Sequence, residues 1–221
     1  MDDVYDTDVL MVIGSNPASN YPILFNKMIK AKKKGMKIIS IQPIESLTSQ
    51  HADLPLIVEP LSEANLLCGI IRALIERKSY DKKAESIDGF SQLWDLVKEH
   101  DTKNVCEISK IKKEQFEKLI ELVSNAKSLG IIHGMGITQD NHATENVSYL
   151  MDLIILKNGR LLSCRGEINV QGAGDISPSS EDKNILHAFL LSPVKAAFIS
   201  GFNPAQSLPN LDKVHENLKK I

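Results

Sequence analysis

Cysteine is scarce in this chain: Cys68, Cys106 and Cys164 are its three cysteines in 221 residues. They form neither a Cys-x-x-Cys pair nor a disulfide framework, so no iron–sulfur cluster and no metal ligand set is expected within the chain. Basic charge is not in excess. The 26 Lys and Arg against 28 Asp and Glu leave a net charge of −2, which lacks the footprint of a nucleic-acid or membrane-surface binder. The one basic cluster, Lys30–Lys37, falls at a helix end before Gly35, where cations complement the helix dipole. No apolar run approaches the ~20 residues of a transmembrane helix. The opening MDDVYDTD is acidic, unlike a signal peptide. A cytoplasmic protein without direct membrane contact is expected.

What is present is a globular composition, 43% hydrophobic and 24% charged. Val9–Ile13 reads as a buried strand, Tyr21–Lys34 as a helix, Lys37–Ile41 as a second strand and Leu54–Glu59 as a short third. Ser62 and Glu63 open a helix to about Lys78, with Leu66, Leu67, Ile70, Ile71, Leu74 and Ile75 on one face. The region 81–127 reads as helical throughout, Leu129–Gly136 as strand and Gly-rich turn, and Glu145–Lys157 as helix. Strands alternating with helices predict an α/β fold: a doubly wound, mostly parallel, Rossmann-like sheet flanked by helices. One such domain is expected over 1–160. The remainder, 161–221, reads as an irregular Gly-rich segment (RLLSC onward), a short helix near Leu186, a strand Lys195–Ser200 and a final helix. That last block is too small to bury a core alone.

One phrase occurs twice. VLMVIGSNPASNYPILF near the start and AAFISGFNPAQSLPNL near the end are each an apolar run followed by Gly-x-Asn-Pro-Ala. The glycines, Gly14 and Gly201, permit φ > 0; Asn16 and Asn203 suit caps; and proline starts a helix. Such a turn at the carboxyl end of a strand in an open α/β sheet is where ligands bind. The backbone N–H groups of Ser15 and Asn16 are placed to face a pyrophosphate.

Six phrases, VIGSNPASNYPILF, AKKKGMKIISIQP, HADLPLIVEP, HGMGITQDNHATENV, RGEINVQGAGD and GFNPAQSLP, occur in the order seen in the large subunits of molybdopterin oxidoreductases. The chain resembles formate dehydrogenase alpha subunits most. The resemblance implies two related α/β domains, each gripping one molybdopterin guanine dinucleotide with molybdenum or tungsten. The repeated phrase then marks one such domain and a remnant of its sister. It places Gln42 on a sugar or base, where the family has Asp-Pro-Arg and this chain Gln42-Pro43-Ile44. It places Ser62 and Glu63, in Pro60-Leu61-Ser62-Glu63, where the family has Pro-Gly-Thr-Asp. Glu63 would accept from a guanine ring N–H and amino group. Gly134, Gly136, Gln139 and His142 lie near the pterin by the same resemblance, with Asn169 and Gln171 in the segment RGEINVQGA. His142 is equally readable as a helix cap or a solvated residue.

Arg165 matches the arginine that holds the substrate carboxylate beside the metal, a role suited to a guanidinium fork. A structural arginine tying an irregular loop is the other reading, and Cys164 beside it reads as an ordinary thiol. His51 and His133 read as structural. Complete family members also carry an N-terminal Cys cluster, a Cys or selenocysteine metal ligand, a catalytic His and a covering β-barrel, none of which falls within these 221 residues. The expectation is a domain not active alone, working with other oxidoreductase subunits that carry the iron–sulfur and cap domains. The alternative is a cofactor-free structural or assembly subunit. A homodimer is compatible with either.

Overall fold

The computed structural model describes residues 2–166, 170–176, 189–190 and 194–221, with only the backbone at Asp2, Asp3, Gln171, Ala173 and Gly174. The helix expected near Leu186 lies outside the described residues. Contacts divide the chain into two compact units, Met1–Ile168 and Asn169–Ile221.

In the first unit a 3₁₀ turn, Asp2–Asp6, precedes β1 (Val9–Ile13), the single-turn helix α1 (Pro17–Asn20), α2 (Pro22–Lys32) and β2 (Lys37–Gln42). Then come α3 (Leu47–Gln50), β3 (Leu54–Ile57), α4 (Glu63–Glu76), a 3₁₀ turn (Lys82–Ser86), α5 (Phe90–Val97), α6 (Thr102–Ser109) and α7 (Lys113–Asn125). The chain returns as β4 (Leu129–His133), α8 (Met135–Thr138), α9 (Ala143–Lys157) and β5 (Arg160–Ser163). The region 81–127, read as helical throughout, is four helical pieces joined by short non-helical breaks. Gly89 (φ +99°) and Lys110 (φ +57°) adopt left-handed backbone that no helix interior accepts.

The five strands are all parallel, in the order β3-β2-β1-β4-β5. All five residues of β1 are buried, as a central parallel strand requires. Val9, Met11 and Ile13 face one layer, built on the apolar stripe of α4 with α5, α6, α7 and α9. Leu10 and Val12 face α2, whose Leu24, Met28 and Ala31 fill the second layer. Strand β5 corrects the reading of RLLSC as irregular: Gly130 to His133 pair with Arg160 to Ser163. Its half-buried leucines are typical of an edge strand and too few to announce one. The chain winds outward from β1 to β3, then crosses to β4 on the other side of β1. The switch point therefore lies between the carboxyl ends of β1 and β4.

The described part of the second unit holds α10 (Val170–Ile176), α11 (Pro204–Ser207) and α12 (Leu211–Leu218). Helix α10 is a further departure from the irregular segment expected there. The small core comprises Phe189, Leu208 and Val214, with Leu190 and Leu218 against it. The expected strand Lys195–Ser200 is not formed: residues 194–203 are irregular and exposed throughout. A strand needs a neighbour to satisfy its N–H and C=O groups, and among the described residues this unit has none.

Candidate functional site

Three glycines make the switch point. Gly14 turns at φ +57° just past β1. Gly134 N donates to Ile13 O (3.3 Å) and Gly136 N to Gly14 O (3.0 Å), so the turns after β1 and β4 pack backbone to backbone. A Cβ on Gly134 would stand 2.6 Å from the Gly14 carbonyl oxygen, and one on Gly136 2.8 Å from Gly14 Cα. No side chain fits either place. Among the described residues, the N–H groups of Ser15 and Asn16 donate to no protein acceptor. Both residues are half-buried, at the carboxyl edge, ahead of Pro17. Helix α1 is a single turn, so these donors count as individual N–H dipoles more than as the end of a macrodipole.

The side chains around this turn are tied to it. Asn16 Oδ1 accepts from Thr48 Oγ1 (2.7 Å), which itself accepts from Ala18 N (3.1 Å), binding the loop after β1 to that after β2. Gln42 is buried, and its Nε2 donates to Ser15 O (2.9 Å) and Ser40 Oγ (3.0 Å). Both its amide hydrogens are spent on the protein, so Gln42 sets the orientation of the Ser15 peptide. The neighbouring Ile44 is 71% exposed.

After β3, Leu61 occupies left-handed backbone (φ +66°) and is 69% exposed. It thus keeps, at a cost in strain, the conformation that a glycine adopts freely. Ser62 is buried and donates through Oγ to Glu59 O (2.6 Å). Burial pushes the Glu63 carboxyl up; the backbone N–H groups of Glu63 and Leu61 counter this and the Asp140 carboxylate adds to it. Asp140 is held below its ordinary value chiefly by the His142 N–H (3.1 Å), with Asn146 Nδ2 (3.0 Å) also donating. Asn146 is fully buried and its Oδ1 has no partner. Gln139 and His142 are exposed in this turn, Gln139 ending α8 and His142 opening α9 without a side-chain cap.

At the ends of β4 and β5, His133 is buried with Nδ1 unpartnered. Burial lowers its pKa, the Gly134 backbone partly offsets this, and the Arg165 guanidinium lowers it further. Cys164 N donates to His133 O (2.7 Å). The Cys164 thiol is buried and pushed up to about 11, an inert group at neutral pH. Arg165 is exposed, and its carbonyl accepts a hydrogen bond from the Tyr21 hydroxyl.

The fold therefore collects Gly14, Ser15, Asn16, Gln42, Ser62, Glu63, Gly134, Gly136, Gln139, His142 and Arg165 at the strand ends, turns and helix starts along the carboxyl edge of one sheet. Asn169 lies outside the described residues, and the side chain of Gln171 in α10 is not described. Gly201 (φ +63°) and Asn203 belong to the second unit, where Asn203 Oδ1 caps α11 by accepting from Ala205 N (3.1 Å). Sequence reading missed Tyr21, Thr48 and Asn146. The Tyr-Pro pair was the only local signal for Tyr21, because its partner is 144 residues away.

A family model for molybdopterin oxidoreductases matches residues 1–221. The chain belongs to the molybdopterin oxidoreductase family. Similar curated relatives include the F420-dependent formate dehydrogenase subunit alpha of Methanocaldococcus jannaschii, 29% identical over 184 residues, covering 80% of this chain and 27% of the relative. Formate dehydrogenase H of Escherichia coli is 31% identical over 184 residues, covering 80% and 26%. Among solved structures, acetylene hydratase from Pelobacter acetylenicus superposes with a TM-score of 0.65 at 22% identity, over 69% of this chain and 21% of that one. That similarity carries the fold alone. This molybdopterin oxidoreductase chain spans about a quarter of the length of the curated relatives it matches.

Proposed function

We propose that the carboxyl edge of this sheet binds one molybdopterin guanine dinucleotide, with molybdenum or tungsten. In this reading the chain serves as the cofactor-gripping part of a formate-dehydrogenase-type enzyme, and other subunits supply the iron–sulfur and covering parts. The observation that carries the proposal is the unspent pair of N–H groups at Ser15 and Asn16 beside the three-glycine switch point. They fit the phosphate-bearing part of such a group, which needs close backbone approach and donors already in place. Glu63, ionised, accepts from the guanine ring N–H and amino group. Arg165 meets a substrate carboxylate. Gly134, Gly136, Gln139 and His142 line the pterin side, and the bound group supplies the metal centre for two-electron chemistry.

A second reading, a cofactor-free structural or assembly subunit, is favoured by a different observation. Gln42 has no amide hydrogen to spare for a ligand, and exposed Ile44 and Leu61 present apolar surface where a dinucleotide wants polar contacts.

Melting the chain with guanosine monophosphate separates the two. Binding at about 100 times the dissociation constant adds ~2.7 kcal/mol and a clear rise in Tm. No rise at millimolar nucleotide supports the second reading. Because burial raises the Glu63 pKa, its acceptor form is lost at a higher pH than for an ordinary glutamate, so affinity falls early on acidification. Protein from its native source, assayed for molybdenum, tungsten and pterin together with co-eluting chains, tests the subunit assignment.

A further inference from the structure

Burial works against the carboxylates of Asp53 and Glu63, and backbone N–H groups answer it in both, joined at Asp53 by Lys32 (3.2 Å). Asp152 has no such answer. It is half-buried on α9, burial pushes its carboxyl up, and among the described residues no N–H group and no cation pairs with it. Lys157, five residues on in the same helix, spends its Nζ on Ser79 O (3.3 Å) and Ser124 O (3.0 Å). A carboxylate partly out of water and without a partner is costly, and a cation arriving beside it removes that cost.

Asp152 lines a cavity of about 120 Å³ between the start of α5 and the second half of α9. Ile87, Phe90, Leu93 and Leu156 form its apolar walls, with Ile87 and Asp88 exposed at the rim. Among the described residues no lysine, arginine or histidine lines it, so its two charges are both negative. The Phe90 ring is held by that of Tyr80 (centroids 5.4 Å apart), whose hydroxyl donates to Glu85 Oε1 (2.8 Å). An aromatic ring beside a carboxylate suits an organic cation, which is attracted to both. An apolar space of ~150 Å³ takes a benzene ring, so this notch takes a stem of about four carbons. We propose that the notch is a binding site for a small alkylammonium group, its charged head paired with Asp152 and its stem lying among Ile87, Phe90 and Leu93. Asp152 stands about 14 Å along α9 from the helix start at the carboxyl edge, so the site is separate from the dinucleotide reading and does not rest on it.

The experiment follows the Gly89 and Leu93 amides of the full chain by NMR as n-butylammonium chloride is added, with n-butanol and potassium chloride as controls. Saturable shifts at millimolar n-butylammonium are expected, with n-butanol weaker by about tenfold or more, the factor carried by one hydrogen bond to a charged group. Asp152→Asn should lose the same factor. Ile87→Trp, which fills the notch and keeps the carboxylate, should abolish saturation. Without ligand, Asp152→Asn should melt a few degrees higher, because the uncompensated charge is gone. An arm with Nα-acetyl-lysine amide distinguishes two sources of the group. Affinity equal to that of n-butylammonium assigns the notch to a lysine side chain of another chain, and affinity about tenfold lower assigns it to a free amine. No saturation, equal binding of n-butanol, unchanged affinity in Asp152→Asn or binding retained in Ile87→Trp overturns the site. A lower melting temperature for ligand-free Asp152→Asn reveals a compensating partner and overturns its premise.

Discussion

Gly14 and Gly201 each follow an apolar run, each adopt left-handed backbone (φ +57° and +63°), and each precede Asn-Pro-Ala at the start of a single-turn helix. Their surroundings have almost nothing in common. The run before Gly14 is β1, buried on both faces and paired with β2 and β4. The run before Gly201 is irregular and exposed, with Phe198 at 96%. Asn16 reaches out of its own turn to Thr48 in the next loop, whereas Asn203 turns back to cap α11. The comparison separates what a turn phrase does from what its neighbours do. The phrase makes the left-handed glycine, the Asn-Pro corner and the one-turn helix in both places. Pairing of the preceding run and close packing on the turn come only from other segments.

The largest expected contrast lies in the runs themselves. Met11 is fully buried between Ile39 and Ile131, so Met11→Ala should cost about 3 kcal/mol in urea unfolding. Phe198→Ala should stay within about 0.5 kcal/mol. A large cost at Phe198 would break the comparison.

The turns come next. Gly14→Ala pays left-handed strain and also places its Cβ 2.9 Å from Ile137 N and 3.0 Å from Gly136 Cα. A loss of about 3 kcal/mol follows from the strain and the backbone clash together. Gly201→Ala meets nothing within 4 Å. It should lose only the strain, about 1 kcal/mol, read as faster amide exchange in α11.

Leu61 sharpens this further, being a left-handed position after β3 that already carries a side chain (φ +66°) and projects it into solvent. Leu61→Gly should stabilise the first unit by about 1 kcal/mol, nearly equal and opposite to Gly201→Ala. A destabilised Leu61→Gly would show the side chain making a contact worth more than the strain.

The smallest effect is a slope with pH. His133 has its folded pKa depressed by burial, so the native state disfavours its protonation and the unfolded chain does not. Stability is fully present above the unfolded value of about 6.5 and is lost as pH falls through the folded one. His100, also depressed by burial, acts in the same direction. The raised Glu63 carboxyl acts oppositely, contributing below its unfolded value and losing that contribution as pH rises through the folded one. Comparing His133→Gln with the parent between pH 7 and 5 isolates the first: the variant's stability should fall less steeply.

Much of the first unit was legible from pattern. The apolar stripe of α4, the Gly35 stop after α2 and the buried runs of β1, β2 and β4 each satisfy a rule that operates within a few residues. The parallel sheet followed from their alternation. The left-handed Gly14 turn ahead of α1 was legible too, because Gly-x-Asn-Pro has few uses after a strand; the packing of Gly134 and Gly136 on that turn was not. Two strand assignments went the other way. RLLSC has a weak local signal and became β5 because β4 offered it an edge in register. Lys195–Ser200 has a strong local signal and stayed irregular, with no described strand of its unit beside it.

The sequence by itself determined β1 to β4, the apolar face of α4 and the left-handed corners at Gly14 and Gly201, because propensity, periodicity and turn chemistry are local. Only the tertiary structure decided which apolar run became a strand and that Gln42 spends its amide on Ser15. It also decided that the Tyr21 hydroxyl reaches Arg165, 144 residues away. Hydrogen bonds between strands and loops are completed by groups far along the chain, and no local pattern specifies where those groups will be.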